Sequence, residues 1–235
     1  MKKSIMLFVL MAALVLVFCA CEKLGTIPET IEIRGEVFRT DSTGNHTVEG
    51  FFALENKGLT SADIEPLKYM QSIGGLLLSG NQIDDISTLR WLTKLTILSL
   101  NDNQISDISP LKKLTKLTGL YLNNNQISNI SALSNMKSLT DLKLGNNQIK
   151  DIGALKNLTA LEQLTLTGNQ ISNISALSNL KNLTYLDLGG NQISNVSALT
   201  GLSNLEQLNL TGNPLTEKQV EDLRGELPNC QIYFY

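Results

Sequence analysis

From about residue 75 to residue 213 the chain sets its apolar and polar residues in one order and repeats that order every 22 residues. In one such unit Leu95, Leu98 and Leu100 come first, Asn103 follows, and Ile105, Ile108, Leu111 and Leu114 complete it. Leu98 and Leu100 alternate as in a strand that buries one face. Beyond the asparagine the apolar spacing changes to three, which suits a tight helical turn of about 3 residues. A unit of 22 residues leaves little room for a long helix. The pattern therefore predicts a short strand, a corner and a 3₁₀-like return. Each inward apolar side chain contributes roughly 1.5 to 3 kcal/mol when fully buried, and a single unit has no interior in which to bury them. Neighbouring units must stack, the architecture that a fixed period of this kind specifies.

Asn81, Asn103, Asn125, Asn147, Asn169, Asn191 and Asn213 mark the corner where the chain leaves the strand and its backbone groups have no ladder partner. A primary amide carries two donors and an acceptor, so a buried column of them can bond the corner backbone of each coil and its neighbour. All seven are assigned a structural role. A second column, Asp85, Asp107, Asn129, Asp151, Asn173 and Asn195, stands two residues before Ser87, Ser109, Ser131, Gly153, Ser175 and Ser197. One oxygen per coil, with Asp and Asn mixed, lacks the clustered carboxylates of a calcium site. Short oxygen side chains ahead of a helical turn are what capping requires, and Pro110 suits a first helical position.

Gln82, Gln104, Gln126, Gln148, Gln170 and Gln192 follow the asparagines, giving stretches such as NQISDISPL at 103–111 and NQISNISAL at 125–133. This frame resembles the 22-residue leucine-rich repeats of bacterial internalin-like surface proteins, over about residues 50 to 235. The resemblance implies an α/β fold: a right-handed leucine-rich repeat solenoid, or horseshoe, with a concave parallel β-sheet and convex 3₁₀ turns. It says little about the ligand, because members of that family bind unrelated partners.

A solenoid must also end without exposing its core. Pro214 interrupts the pattern, Thr216 and Gln219 form a TxxQ capping box, and Val220, Leu223 and Leu227 fall on one helical face. Pro228 ends that helix, and Cys230 to Tyr235 reads as a final extended segment. At the other end, Ile31 to Phe38 and Val48 to Leu54 are strand-like and are expected to pair as a hairpin around the polar turn Asp41 to His46. Asn56 to Met70 reads as an irregular first coil, three residues longer than the standard step, with a short helix over Asp63 to Met70. The resulting division is a signal peptide at 1–20, a lipid-anchored tether at 21–30 and an N-terminal β cap at 31–58. Leucine-rich repeats then occupy 59–213, and a helix and strand cap follows at 214–235.

Lys2 and Lys3 precede an apolar run of 16 residues, Ile5 to Ala20, shorter than the roughly 20 of a membrane span. The run ends in FCAC, where Ala20 before Cys21 resembles a bacterial lipobox, with Phe18 in place of the usual leucine. That resemblance implies lipidation of Cys21; an uncleaved anchor and plain secretion are the alternatives. The expected location is thus exported, and membrane-anchored at a bacterial cell surface or envelope. Removing the leader takes two lysines from 19 basic residues and leaves 22 acidic ones, so the net charge moves from −3 to −5. A mildly acidic chain argues against nucleic acid. With Cys19 removed and Cys21 acylated, Cys230 has no partner for a disulfide and reads as a buried thiol in the cap. His46, the lone histidine, supplies neither a triad nor a metal cluster, and no Gly-rich phosphate loop interrupts the coils. No enzyme, cofactor or metal site is expected.

What remains is binding. With the leucines inward, the residues six, four and two positions before each asparagine face the concave side. On that face Leu77, Ile97 and Tyr121 form an apolar diagonal, and Asp141, Lys143, Tyr185 and Asp187 form a mixed patch further along. These seven are the candidate ligand-binding residues, since exposed aromatic and apolar side chains on a polar sheet are typical hot spots. Ordinary strand propensity is the alternative explanation for them. Strands about 4.8 Å apart make the sheet roughly 30 Å across, a width that suits a protein loop, a peptide or a glycan. Trp91, with Lys113, Asn135 and Asn157 as counterparts in later coils, falls on the convex side. It either lies flat there or makes a second contact. Two functions follow: a membrane-anchored monomer that binds a protein or glycan through its concave face, or a structural component of the envelope acting through self-association.

Overall fold

A computed structural model describes residues 30–33, 36–39 and 51–235. The signal peptide, Cys21 with most of the tether, and the turn expected at Asp41–His46 lie outside the described residues. Strands β1 (Thr30–Ile33) and β2 (Glu36–Arg39) form an antiparallel pair with Ile31 opposite Phe38. The antiparallel pair thus lies within the first strand-like segment; of the second, expected at Val48–Leu54, residues 51–54 are described, and they do not pair with the first. Phe51–Ala53 (β3) instead pairs in parallel with Gly75–Leu77 (β4), so it opens the main sheet. The reason is geometric: Phe52 points inward and is buried, as every central strand leucine is, and the stack offers it a core that a two-stranded hairpin lacks.

Seven further three-residue strands continue the sheet. They are β5 (Ile97–Ser99), β6 (Gly119–Tyr121), β7 (Asp141–Lys143), β8 (Gln163–Thr165), β9 (Tyr185–Asp187), β10 (Gln207–Asn209) and β11 (Gln231–Tyr233). All nine strands from β3 to β11 run parallel in chain order. Between them, seven 3₁₀ turns run from Glu65–Tyr69 to Ser197–Leu199 on the opposite side. Paired residues lie 22 positions apart from β4 to β10, whereas Phe51 pairs with Gly75 and Gln207 with Gln231, both 24 apart. The first coil is therefore two residues longer than the standard step, not three, and the C-terminal cap uses the same longer step. The architecture is the open leucine-rich solenoid with 3₁₀ returns that the period predicts.

The core is a continuous column of leucines and isoleucines, nearly all without solvent exposure. Its polar seam is the asparagine column. Asn125 Nδ2 donates to the carbonyls of Leu100 (2.9 Å), Leu122 (3.2 Å) and Asn123 (3.2 Å), and its Oδ1 accepts from the Ile105 amide at 2.9 Å. Asn103, Asn147, Asn169 and Asn191 repeat this set on their own coils. Each side chain reaches back to the preceding coil. Asn213, on the last coil, keeps the bonds but is half-buried.

The residue before each asparagine supplies the corner's left-handed backbone. Gly80, Asp102, Asn124, Asn146, Gly168, Gly190 and Gly212 all have φ between +54° and +71°. Only glycine, asparagine and aspartate adopt that region readily, and the column contains nothing else. Sequence reasoning overlooked this column although its composition announces it. At the entrance to the convex turns, Ser109 N–H donates to Asp107 Oδ1 at 2.8 Å, and the same bond recurs at Asp85, Asn129, Asp151, Asn173 and Asn195. The capping oxygen stands one residue ahead of the formal cap, an isoleucine or valine whose side chain joins the core.

At the C-terminus, helix α1 (Glu217–Glu226) starts at the predicted box: Thr216 N–H donates to Gln219 Oε1 (2.9 Å), and Gln219 N–H to Thr216 Oγ1 (3.3 Å). Gln219 Nε2 also donates to the Ser194 carbonyl at 2.8 Å, tying the cap to the last coil. Val220, Leu223 and Leu227 are buried, as their spacing predicts. Cys230 is half-buried rather than fully enclosed, and that burial pushes its thiol above the ordinary range.

Candidate functional site

Strand register sets the concave face into straight columns. One runs Phe51, Gly75, Ile97, Gly119, Asp141, Gln163, Tyr185 and Gln207; the next runs Ala53, Leu77, Ser99, Tyr121, Lys143, Thr165, Asp187, Asn209 and Tyr233. A third column, two positions further on, is consumed by its own hydrogen bonds. Asn101 Oδ1 accepts from the Asn123 amide (2.8 Å), Asn123 Oδ1 from Gly145 (2.7 Å), and Ser79 and Ser99 hydroxyls pair at 2.6 Å. The side-chain oxygens of these residues thus serve the neighbouring coils.

The seven candidate residues all lie in the first two columns, but they group differently from the two patches the sequence suggests. Tyr121 belongs with Asp141 and Lys143 as much as with Leu77 and Ile97. Lys143 Nζ sits 5.1 Å from the centre of the Tyr121 ring, a cation–π distance. Burial, then the hydrogen bond and charge of Asp141, push the Tyr121 hydroxyl above its ordinary value. Asp141 Oδ1 is buried and, among the described residues, has no hydrogen-bond partner. Asp187 is the opposite case. Its Oδ1 accepts from the Gly189 amide and from Asn209 Nδ2, both at 2.9 Å, so much of its capacity serves the sheet.

Lys143 also forms one wall of a shallow depression of about 370 Å³ whose other walls include Gln163, Thr165, Tyr185, Glu206 and Gln207. A second depression of about 270 Å³ shares Tyr185 and Gln207 with it and ends at Tyr233. Tyr185 therefore divides two hollows on one face; burial, then Asp187 and Tyr233, raise its hydroxyl. Leu77 and Ile97 stand toward the other end, near Phe51, whose ring is 59% exposed and covers Gly75 so closely that a Cβ there would meet it at 2.6 Å.

Sequence reasoning missed Phe51 and Tyr233, which begin and end these columns, and the polar walls Gln163, Glu206 and Gln207. The 24-residue end steps put Phe51 and Tyr233 out of phase with the asparagine count. Gln163 and Gln207 were in phase, but a glutamine on a solvated strand carries no signal of its own. Cys21 lies outside the described residues. Among the described residues, no cluster of three His, Cys, Asp or Glu side chains is arranged to hold a metal, and no helix is long and apolar enough to cross a membrane.

An open sheet of stacked coils with one polar, partly aromatic face defines a scaffold that presents a surface. The chain matches the family of Leucine Rich repeats (2 copies) over residues 71–113, 93–135, 137–179 and 181–225, and it belongs to that family. Within the family it is internalin-like. An internalin (inlF) of Listeria monocytogenes is 39% identical with a TM-score of 0.69, over 73% of this chain and 52% of that one. Internalin C2 (inlC2) of the same species is 32% identical with a TM-score of 0.71, over 78% of this chain and 79% of that one. A plant peptide hormone receptor, RGFR1, in complex with RGF2, shares the fold at 24% identity and a TM-score of 0.62, over 72% of this chain and 29% of that one. The chain spans about half the length of the inlF structure. No curated protein matches it.

Proposed function

We propose that this chain is a binding module, held at a bacterial membrane through Cys21, that grips a protein or glycan partner with its concave sheet and performs no chemistry on it. One observation carries the reading: the group of Tyr121, Asp141 and Lys143. It combines a half-buried ring, a cation over that ring and a carboxylate oxygen with no donor. The ring and its cation together offer a partner an aromatic face beside a positive charge. The adjoining hollows around Tyr185 extend the same surface, and the plant receptor with this fold is itself in complex with a partner.

The test is capture of surface proteins and glycans by the full chain and by Tyr121→Ala and Tyr185→Ala variants. Loss of capture in both variants, with unchanged circular dichroism, supports the concave site. Capture that survives both changes and a combined set with Lys143→Ala removes it, and self-association without external capture identifies envelope assembly instead. For the anchor, Cys21→Ala releases the protein from membranes; retention identifies an uncleaved leader.

A further inference from the structure

The convex side holds a feature that the concave reading leaves unused. A depression of about 560 Å³, larger than either concave hollow, lies along the 3₁₀ turns Ser87–Trp91 and Ser109–Lys113. Trp91 and Pro110 give it apolar walls, and Arg90, Lys112 and Lys113 line it with charge. Lys94 and Lys116 follow on the same two coils, and all five cations are exposed. From Ser87 to Leu100 and from Ser109 to Tyr121 no Asp or Glu occurs. Among the described residues none of the five forms an ion pair. The carboxylates that precede these turns, Asp85 and Asp107, are turned onto the amides and hydroxyls of Ser87 and Ser109. Lys68, one coil earlier, is paired with Glu65. A chain of net charge −3 thus carries five cations without ion pairs on two adjacent coils, three of them lining the recess beside Trp91.

Charge complementarity calls for a polyanion, and the apolar walls narrow its kind. Glutamate or aspartate side chains offer the charge but no flat face for an indole. A sugar ring bearing sulfate or carboxylate offers both: a C–H face to lie on Trp91 and anions at its rim for the lysines. A planar bilayer surface does not enter a recess whose indole is itself half-buried. We propose that the recess between Trp91 and Lys113 binds an acidic polysaccharide, sulfated or uronic, independently of the concave partner.

Trp91 is the chain's sole tryptophan, so its emission reports occupancy of this recess directly. The full chain in a non-ionic detergent is titrated with dextran sulfate, neutral dextran, polyglutamate and micelles doped with phosphatidylglycerol. The expected result is a saturable emission change with dextran sulfate and none with neutral dextran. Binding weakens about tenfold in the Lys112→Gln/Lys113→Gln double variant, which removes two exposed charges, and weakens further as salt is raised. Tyr185→Ala leaves it unchanged. Circular dichroism and melting of the double variant verify that it folds. No response to dextran sulfate, or undiminished affinity in the double variant, overturns the proposal. An equal response to polyglutamate or to the doped micelles overturns it too, by reassigning the patch to acidic peptides or to a membrane surface.

Discussion

The corner column and the concave columns come from the same repeat, a few residues apart, and obey opposite rules. At the corner seven asparagines are identical, and each makes nearly the same bonds to backbone carbonyls and amides of its own and the preceding coil. On the concave face the paired positions hold Leu77, Ser99, Tyr121, Lys143, Thr165, Asp187 and Asn209, no two alike. The difference is one of partner. A side chain whose partner is backbone meets the same geometry in every coil, so one residue type serves throughout. A side chain that faces outward meets whatever the surroundings supply.

The strongest way to break this contrast is at the corner. Asn125→Ala strands the Ile105 amide and the Leu100 and Leu122 carbonyls in the core, and a loss of about 3 kcal/mol in urea unfolding is expected. Half-buried Asn213→Ala is expected to cost about half as much, because water reaches the groups it leaves. Equal losses at the two sites would contradict burial as the source of the effect. Gly168→Ala comes next. At φ +66° a Cβ would stand 2.2 Å from Asn146 Oδ1, and a loss of about 1 to 2 kcal/mol is expected in the same assay. Asp107→Ala, which removes a capping acceptor from the convex turn, should cost about 1 kcal/mol.

On the concave side the expectation reverses. Tyr121→Ala and Tyr185→Ala shift stability by about 0.5 kcal/mol while removing partner capture; a drop as large as that of Asn125→Ala would make these tyrosines part of the scaffold. The smallest effect is on pH. Both hydroxyls are raised above their ordinary 10.0, so as pH climbs the unfolded chain loses its protons before the folded one does. These two hydroxyls leave stability unchanged below about pH 10 and lower it above, and the Tyr121→Phe/Tyr185→Phe variant shows a shallower decline in melting temperature in that alkaline range.

The stack was legible because its signal is repeated: the inward residues Leu98, Leu120 and Leu142 fall into register by counting alone. Legibility failed where the count breaks. Phe51–Ala53 is a full member of the sheet, yet Lys57, and not an asparagine, stands where its corner residue falls, 24 positions before Asn81. Alternation in Ile31–Phe38 marked extended structure but carried no information about the pairing partner. At the site, the columns could be written from sequence, but lateral relations could not. That Asp187 is occupied by Asn209 while Asp141 keeps a free oxygen depends on side-chain directions one coil away.

Because every corner asparagine reaches backward, a coil is finished only by its successor. Asn103 fastens the chain near Ile83, Asn125 the chain near Ile105, and so on along the stack. A polypeptide delivered N-terminus first, from a ribosome or a pore, therefore locks each turn one repeat after it appears. The closing order is written into the direction of the bonds, and the cap at α1 and β11 is the one stop that needs no successor.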